Sequence, residues 1–189
     1  MSGYQNHRGS VSLRRLNGQD LYDRLETEVH NRLVNLLDGK SPILEIGCGD
    51  CRHADRLAHS LGTRVVGIDI SNEKFPVDKH QYSAECIQID AESASVTLSE
   101  KFVGAVARFV VHELKHPELV LREVFKVMES GGLIVLADPI KGSIAEQLYN
   151  EEYYTAGQLA GFLGSAGFHD IEYELLGEGN LALVVGKKQ

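Results

Sequence analysis

The sequence predicts a single α/β domain, built on an open and mostly parallel sheet that carries one reversed strand at its C-terminal end. Three observations lead to this fold class. Apolar segments of strand length alternate with segments of helical periodicity between residues 42 and 137. A glycine turn, Gly47-Cys48-Gly49, joins the first strand to a helix. The chain ends on two strand-like segments separated by glycines, which is typical of an antiparallel hairpin.

The first half of the chain predicts one helix ahead of the sheet and then three strands. Residues 1–19 are polar and rich in glycine, and we expect a mobile arm before a domain that spans 20–189. Leucines and a valine at helical spacing, from Leu21 to Leu37, predict an amphipathic helix over 20–37. The elements predicted next are a strand over 42–46, a helix over 51–61 for which Asp50 is a possible cap, a strand over 64–68, a short helix near 73–75 and a strand over 85–89.

The second half continues the alternation and then changes character. It predicts a strand over 102–107, a helix from Pro117 to the Gly131-Gly132 pair, and a strand over 133–137. A tyrosine-rich loop is expected over 139–154. Thr155 is a typical N-cap for a helix that ends at Gly167, and strands over about 169–176 and 181–186 complete the hairpin.

Composition narrows the classes of function. The net charge of −8 disfavours a nucleic-acid partner, which usually requires a basic face. No apolar run is long enough to span a bilayer, and the N-terminal residues lack the apolar core of a signal peptide, so we expect a cytoplasmic protein. Three cysteines are an odd number and argue against a disulfide framework, although a redox pair of Cys48 and Cys51 stays open as a less favoured hypothesis.

Acidic residues stand at the ends of three successive strands, where ligands of open parallel sheets bind. Glu45 suits a cationic ligand better than a pyrophosphate. Asp69 suits the two hydroxyls of a ribose, and Asp90 suits an exocyclic amine such as adenine N6. Each alone is explained by a turn cap, but the three together favour S-adenosylmethionine, a nucleoside with a positive sulfonium and amino group.

These segments resemble the motifs of the class I S-adenosylmethionine-dependent methyltransferases, and the resemblance covers about 20–188. The matching segments, in order, are ILEIGCGDC, VVGIDIS, IQIDAE, VGAVARFVVHEL and ESGGLIVLAD. The resemblance implies the seven-stranded, Rossmann-like fold of that family. The tail that begins at YTAGQLAGFLGSAGF resembles its small-molecule branch.

The resemblance also implies a set of residues that bind S-adenosylmethionine and release S-adenosylhomocysteine. They are Glu45, Gly47, Cys48 and Gly49 at the methionyl end, Asp69 at the ribose, Ile70, Asp90 and Ala91 at the adenine, and Arg108 and Phe109 near the sulfonium. Gly104 departs from the Asp that often begins the fourth strand. The stretch from Ala107 to Val110 lacks the Asn/Asp-Pro-Pro-aromatic motif of DNA amino-methylating enzymes, so methylation of that type is not expected.

Chemistry at the acceptor is predicted to depend on few residues, because the sulfonium is already a strong leaving group. His112, just past the fourth strand, is the candidate general base, with local packing as the alternative. His116 lies four residues further on, but Pro117 disfavours the helix that joint metal binding would need, so no metal is expected. The acceptor pocket should draw on the N-terminal arm, the first helix, the loop after strand four, and the segment after strand five with Tyr149, Tyr153 and Tyr154.

Two other functions remain open at this point. One is a non-catalytic S-adenosylmethionine-binding partner of another subunit. The other is an NAD(P)-dependent oxidoreductase, which is disfavoured because Arg52 stands where the third glycine of that motif belongs and Glu45 would repel a pyrophosphate. We expect a small-molecule acceptor, without nucleic acid or membrane, because no insertion provides a separate substrate domain.

Overall fold

The computed structural model describes residues 18–78 and 81–189. Its seven strands are β1 (Ile43–Ile46), β2 (Val65–Asp69), β3 (Glu85–Gln88), β4 (Phe102–Arg108), β5 (Met128–Pro139), β6 (His169–Leu176) and β7 (Leu181–Lys187). The helices are α1 (Gly18–Leu37), α2 (Arg52–Leu61), α3 (Ala94–Thr97), α4 (Pro117–Val127), α5 (Ile144–Tyr149) and α6 (Ala156–Ala166). Short 3₁₀ turns occupy Ala91–Ser93, Val111–Glu113 and Gly177–Gly179.

All seven strands form one sheet in the order β3-β2-β1-β4-β5-β7-β6. The pairs β1–β2, β2–β3, β1–β4 and β4–β5 are parallel, whereas β7 runs antiparallel to both β5 and β6. The predicted fold class, an open sheet with one reversed C-terminal strand, is therefore confirmed. The strand order reverses between β1 and β4, and ligands of such sheets bind outside the carboxyl ends of these strands.

The central strands are apolar because helices cover both faces of the sheet. Leu44 and Ile46 pack on the side of α4 and α6, and Ile43 packs on the other side with α1 and α2. Leu25 and Val29 of α1 are fully buried on that second side, which confirms the predicted amphipathic helix. This helix begins at Gly18, so the last two residues of the predicted arm, 18–19, are helical, and the rest of that arm, 1–17, lies outside the described residues.

Two predictions about helices are wrong. Residues 73–75 form a turn rather than a helix. Helix α4 ends at Val127, and Gly131 and Gly132 lie inside β5 instead of ending the helix. The glycines belong to an irregularity between β4 and β5, where a Cβ on Gly132 would lie 2.8 Å from the Glu129 carbonyl oxygen.

The predicted loop over 139–154 contains helix α5. Ser143 caps it by accepting a hydrogen bond from the Glu146 backbone N–H. The Ser-x-x-Glu spacing is a known helix start, so the sequence did contain a signal for α5. The next helix, α6, confirms its prediction, with a capping box between Thr155 and Gln158 and a left-handed Gly167 at its C-terminus.

The cysteines form one disulfide, contrary to the expectation from their odd number. Cys51, at the start of α2, is bonded to Cys86 of β3, with a Cα–Cα distance of 6.4 Å. An odd count excludes only complete pairing, and the adjacency of α2 and β3 follows from the tertiary fold. Cys48 stays a free buried thiol 3.4 Å from Cys51 Sγ, and burial raises the pKa of Cys48 far above its usual value. The structure thus does not pair Cys48 with Cys51.

Candidate active site

The turn after β1 is held in shape by backbone hydrogen bonds and by two glycines with positive φ. Gly47 and Gly49 have φ of 66° and 54°, and the Cys48 N–H donates to the Ile68 carbonyl oxygen of β2 at 3.0 Å. A Cβ on Gly47 would overlap Cγ2 of Val110 and lie 2.9 Å from its Cβ, whereas a Cβ on Gly49 would meet nothing within 4 Å. Gly47 therefore serves packing, and Gly49 leaves bare backbone facing open space.

Alanine substitutions at these two glycines should have different effects. We expect Gly47→Ala to lower the free energy of unfolding by about 2 to 5 kcal/mol, because it combines a left-handed backbone with overpacking against Val110. Gly49→Ala carries only the backbone penalty, about 1 to 2 kcal/mol. Chemical denaturation of both variants measures the difference. Equal losses would show that the contact with Val110 does not constrain the turn.

The carboxylates at the ends of β2 and β3 organise the neighbouring backbone. Asp69 Oδ2 accepts from the Gly49 N–H at 2.9 Å, and its Oδ1 accepts from the Ser71 N–H at 3.0 Å. Asp90 Oδ1 accepts from the Glu92 N–H at 2.9 Å and caps the 3₁₀ turn that follows. Each carboxylate oxygen has a second lone pair, so these capping roles leave acceptor capacity for a ligand. Asp69 also connects the ends of β1 and β2.

A cavity of about 360 Å³ lies at these strand ends, and we call it the first cavity. It brings together five of the predicted cofactor residues, Gly47, Asp69, Ile70, Asp90 and Ala91. Its wall also includes residues that sequence reasoning missed, among them Ile89, Val110, Glu113 and Leu114. Ile70 is 70% exposed, so an apolar side chain stands open at the rim of a cavity that is also lined by four acidic residues, among them Asp69 and Asp90.

The side chain of Glu45 is buried on the face of β1 opposite to Ile46, which lines the first cavity. It ends a chain of hydrogen-bonded polar side chains. Its Oε1 lies 2.6 Å from His53 Nδ1, and His53 Nε2 lies 3.5 Å from His30 Nδ1. Ser60 Oγ lies 3.1 Å from His30 Nε2. Burial and the nearby charge of Arg56 lower the pKa of His30 to about 4, so this ring is neutral.

The hydrogen bonds of this chain run in one direction when Glu45 is ionised. Ser60 donates to His30, His30 donates to His53, and the His53 Nδ1–H donates to Glu45 Oε1. The other oxygen, Oε2, is buried without a hydrogen-bond partner among the described residues. Buried carboxylate oxygens are nearly always paired, so an unpartnered Oε2 fits a donor supplied by a ligand.

Arg108 and Phe109 lie at the exit of β4 and face α1. Arg108 Nη1 lies 3.4 Å from Glu26 Oε1, and the guanidinium lies 5.1 Å from the centre of the Phe109 ring. Neither residue lines the first cavity, and their predicted place beside the sulfonium stays a prediction. Phe109 lines a second cavity instead.

His112, the predicted general base, is hydrogen-bonded to Asp138 at the end of β5. Its Nδ1 lies 2.9 Å from Asp138 Oδ2, and the fully buried Asp138 carboxylate also accepts from the backbone N–H groups of His112 and Val111. An ionised carboxylate only accepts, so in the neutral ring Nδ1 carries the proton and Nε2 is the basic atom. In the sequence, His112 follows the fourth strand and Asp138 the fifth, but their contact depends on the register of β4 and β5.

The electrostatics around His112 favour its protonated form. Burial opposes protonation, but the hydrogen bond to Asp138 and the negative charges of Asp138, Glu113 and Glu151 outweigh burial and raise the pKa of His112 above its usual value. The imidazole ring also packs against Tyr153, with 4.5 Å between the ring centres.

The second cavity, of about 330 Å³, lies between α1, α5 and the exit of β4. His112, Tyr149 and Tyr153 line it as predicted, and Tyr22 of α1 completes the wall. The Tyr22 hydroxyl accepts from the first turn of α5, at the Ala145 N–H, at 2.9 Å. Glu113 lines both cavities, so the two are adjacent.

Tyr154 does not belong to the predicted tyrosine wall. Its ring packs edge-on against Phe162 of α6 at 4.8 Å, on the far side of the loop, and it is absent from the residues that line the second cavity. Adjacent residues of an extended segment point in opposite directions, so Tyr153 and Tyr154 separate.

The sequence and the fold both match known methyltransferases. A family model described as a methyltransferase domain matches residues 44–136, the segment that contains the glycine turn and β1 to β5. A solved S-adenosylmethionine-dependent methyltransferase from Archaeoglobus fulgidus superimposes with a TM-score of 0.70 at 17% identity, over 88% of this chain and 99% of that one. Residues 44–136 form a methyltransferase domain of the class I, S-adenosylmethionine-dependent type.

One curated protein is similar in sequence to this chain, and a further solved structure is similar in fold. A phosphoethanolamine N-methyltransferase from Triticum aestivum is 27% identical over 186 residues, which cover 88% of this chain. The methyltransferase described here spans 36% of that relative's length. The [4+2]-cyclase SpnF has a TM-score of 0.72 at 17% identity, over 91% of this chain and 85% of that one. The cofactor of the family is S-adenosylmethionine, so the NAD(P)-dependent alternative lacks support.

Two further observations complete the description of the methyltransferase. In residues 18–78 and 81–189, no group of three or more histidine, cysteine or acidic side chains is arranged to hold a metal ion. His116 instead hydrogen-bonds Glu92 at 2.8 Å. Within the same part of the chain, every helix is too short or too polar to cross a lipid bilayer.

Proposed function

We propose that this methyltransferase transfers the methyl group of S-adenosylmethionine to a nucleophilic atom of a small molecule bound in the second cavity. One observation carries the proposal: two cavities of comparable size adjoin at the carboxyl ends of the strands, with Glu113 in the wall of both. The first is lined by five of the residues that the sequence predicts to bind the cofactor. The second contains a histidine whose Nε2 lone pair is available.

Chemistry supports the first cavity as the place of the nucleoside. We assign the ribose hydroxyls to Asp69, the adenine amine to Asp90 beside Ala91, and the adenine face to the exposed side chain of Ile70. An apolar side chain that is 70% exposed beside two carboxylates matches the mixed polarity of a nucleoside.

The turn after β1 has the features needed to bind the methionyl end of the cofactor. We assign it to Gly47, Cys48 and Gly49, whose backbone approaches a ligand closely, and to Glu45, whose Oε2 lacks a partner for which an ammonium group would serve. We also assign Phe109 and the adjacent Arg108 to the surroundings of the sulfonium, because both lie at the carboxyl end of β4.

The residues of the second cavity would position the acceptor and take up a proton. S-adenosylmethionine, when bound, supplies an activated methyl group, so orientation of the acceptor is the main contribution of the protein. Asp138 holds the His112 ring with Nε2 as the basic atom. His112 accepts the proton of an acceptor atom that must be deprotonated before it attacks.

Thermal unfolding with and without S-adenosylhomocysteine tests this assignment. At a concentration 100-fold above Kd, a ligand adds about 2.7 kcal/mol of stability, which raises Tm by about 5 to 10 °C for a chain of this size. NAD serves as the control nucleotide, and we expect no shift with it. A shift with NAD alone would overturn the proposal. A shift with S-adenosylhomocysteine but no methylation of any acceptor would favour the non-catalytic alternative.

A further inference from the structure

The geometry of the second cavity points to one class of acceptor. We infer that the methyl acceptor is a cationic amine that carries no phosphate or carboxylate group, and that its nitrogen binds beside Nε2 of His112. This inference rests on the proposed function and deepens it, because it names the chemical class that the second cavity selects.

The charged side chains around the second cavity are acidic. Glu26 of α1, Glu113 after β4 and Glu151 after α5 approach it from three separate elements, and Asp23 also lines it. Glu26 is paired with Arg108, whose Nη1 lies 3.4 Å from Glu26 Oε1, so Glu113 and Glu151 carry the negative charge that acts on a ligand beside His112. Among the described residues that line this cavity, none is a lysine or an arginine. A cleft lined by charges of one sign concentrates ions of the opposite sign, so the cavity favours a cation and repels a phosphate or carboxylate.

Aromatic rings form the remaining wall. Tyr22, Phe109, Tyr149 and Tyr153 come from the same three regions and surround the position of His112. The negative face of an aromatic ring attracts ammonium groups, and this attraction grows when the site is shielded from water. Carboxylates and rings together are the surroundings that recognise an organic cation, whereas a neutral alcohol would use neither.

The position of His112 locates the reacting nitrogen. Its Nε2 lies 3.6 Å from Glu151 Oε2 and 3.9 Å from Glu113 Oε1, so an ammonium group at this point would contact both carboxylates and the base. The His112 side chain is only 8% exposed, and its ring is held by Asp138 and packed on Tyr153. Its orientation is therefore set before an acceptor arrives.

Methylation of a cationic amine requires a base such as His112. An alkylammonium ion has no lone pair, so one N–H bond must break and its proton passes to Nε2 of His112. The freed lone pair forms the new N–C bond while the S–C bond breaks and its electron pair stays on sulfur. The products are S-adenosylhomocysteine, protonated His112 and an N-methylammonium ion, whose nitrogen keeps its remaining N–H bonds.

This chemistry separates the chain from its wheat relative, whose name specifies phosphoethanolamine. That molecule carries an ammonium and a phosphate. In the second cavity the phosphate would lie among carboxylates, with no described lysine or arginine in the wall to neutralise it. We therefore expect phosphoethanolamine to bind more weakly than an amine without an anionic group.

Calorimetric titration of the full chain, saturated with S-adenosylhomocysteine, tests the inference by binding rather than by turnover. The probes are phenethylamine and butylamine, their neutral isosteres 2-phenylethanol and 1-butanol, and phosphoethanolamine. We expect at least one of the two amines to bind about tenfold or more tightly than its alcohol and than phosphoethanolamine, since each exposed charge contact contributes about 2- to 5-fold.

Matched variants locate the effect. The double variant Glu113→Gln/Glu151→Gln should remove most of the preference for the amine, whereas Glu118→Gln, an exposed acid on α4 outside the second cavity, should leave it unchanged. If S-adenosylhomocysteine binds but the alcohols or phosphoethanolamine bind as well as the amines, or no amine binds, the inference is wrong while the cofactor assignment stands. If S-adenosylhomocysteine itself does not bind, the proposed function fails.

Discussion

We expect replacement of His112 by alanine to lower the rate of methyl transfer about 10²- to 10⁴-fold, because the acceptor loses the group that takes up its proton. The affinity for S-adenosylhomocysteine should stay unchanged, since His112 lines the second cavity and not the first. The measurement is the initial rate of S-adenosylhomocysteine formation with the amine that binds most tightly in the calorimetric panel. A variant that retains the wild-type rate would exclude His112 as the base.

The matched control is His59→Ala, which removes an exposed histidine on α2 that bonds Asp55 and Ser83, far from either cavity. This variant should keep the wild-type rate. If both histidine variants lose activity to the same extent, the loss reports on general stability instead of catalysis.

A proton titration of His112 by NMR tests the same site without any acceptor. The bond to Asp138, together with the charges of Glu113 and Glu151, raises the pKa of His112, so we expect its imidazole to titrate above pH 6.5. Because only the neutral ring is a base, the rate should rise with pH through that raised pKa. In Asp138→Asn the titration should move to lower pH, and an unchanged titration would exclude Asp138 as its cause.

The raised pKa of His112 also affects the stability of the fold. Stability should fall as the pH rises, whereas the rate of methyl transfer should increase. The folded-state pKa of His112 lies above the unfolded value, so the fold favours the protonated ring. The stabilisation from the His112–Asp138 contact is therefore complete below about pH 6.5 and is lost as the pH rises through the raised pKa. Comparison of urea unfolding for wild type and His112→Ala across that interval measures the change.

Replacement of Asp69 by alanine should weaken S-adenosylhomocysteine binding about 10- to 100-fold. Two contributions combine, namely the loss of charged hydrogen bonds to the ribose, about 1.5 to 3 kcal/mol, and the release of the Gly49 N–H that Asp69 holds at 2.9 Å. Asp69→Asn keeps one acceptor oxygen and should fall between wild type and Asp69→Ala. Titration calorimetry measures all three affinities, and the thermal midpoint without ligand shows whether the fold is retained.

Asp50→Asn provides the control for this position. Asp50 lies in the same turn, but its carboxylate bonds the exposed Arg52 side chain at 2.9 Å and the Arg52 N–H at 3.1 Å. We expect the affinity of this variant to match wild type. An Asp69→Ala protein that binds S-adenosylhomocysteine as tightly as wild type would remove the ribose assignment.

The strand pattern and the carboxyl-end residues were predictable because both depend on local rules. Strands buried on both faces are mostly apolar, as in β1, where Glu45 is the one polar residue, and an acid at a strand end lies at the ligand-binding edge of any such sheet. Helix ends followed capping chemistry closely at Thr155 and Gly167. The prediction was wrong at Gly131, because a glycine pair ends a helix or permits a strand irregularity equally well, and only the pairing of β4 with β5 decides between them.

The sequence by itself determined the order of the seven strands, the reversed last strand and the residues of the glycine turn, because periodicity and glycine geometry are properties of short segments. Only the tertiary structure decided which side chains meet. It paired His112 with Asp138, linked Glu45 to His53 and His30, and joined Cys51 to Cys86. Such contacts connect residues 8 to 35 positions apart through strand register and helix packing, and no local pattern in the chain encodes those distances.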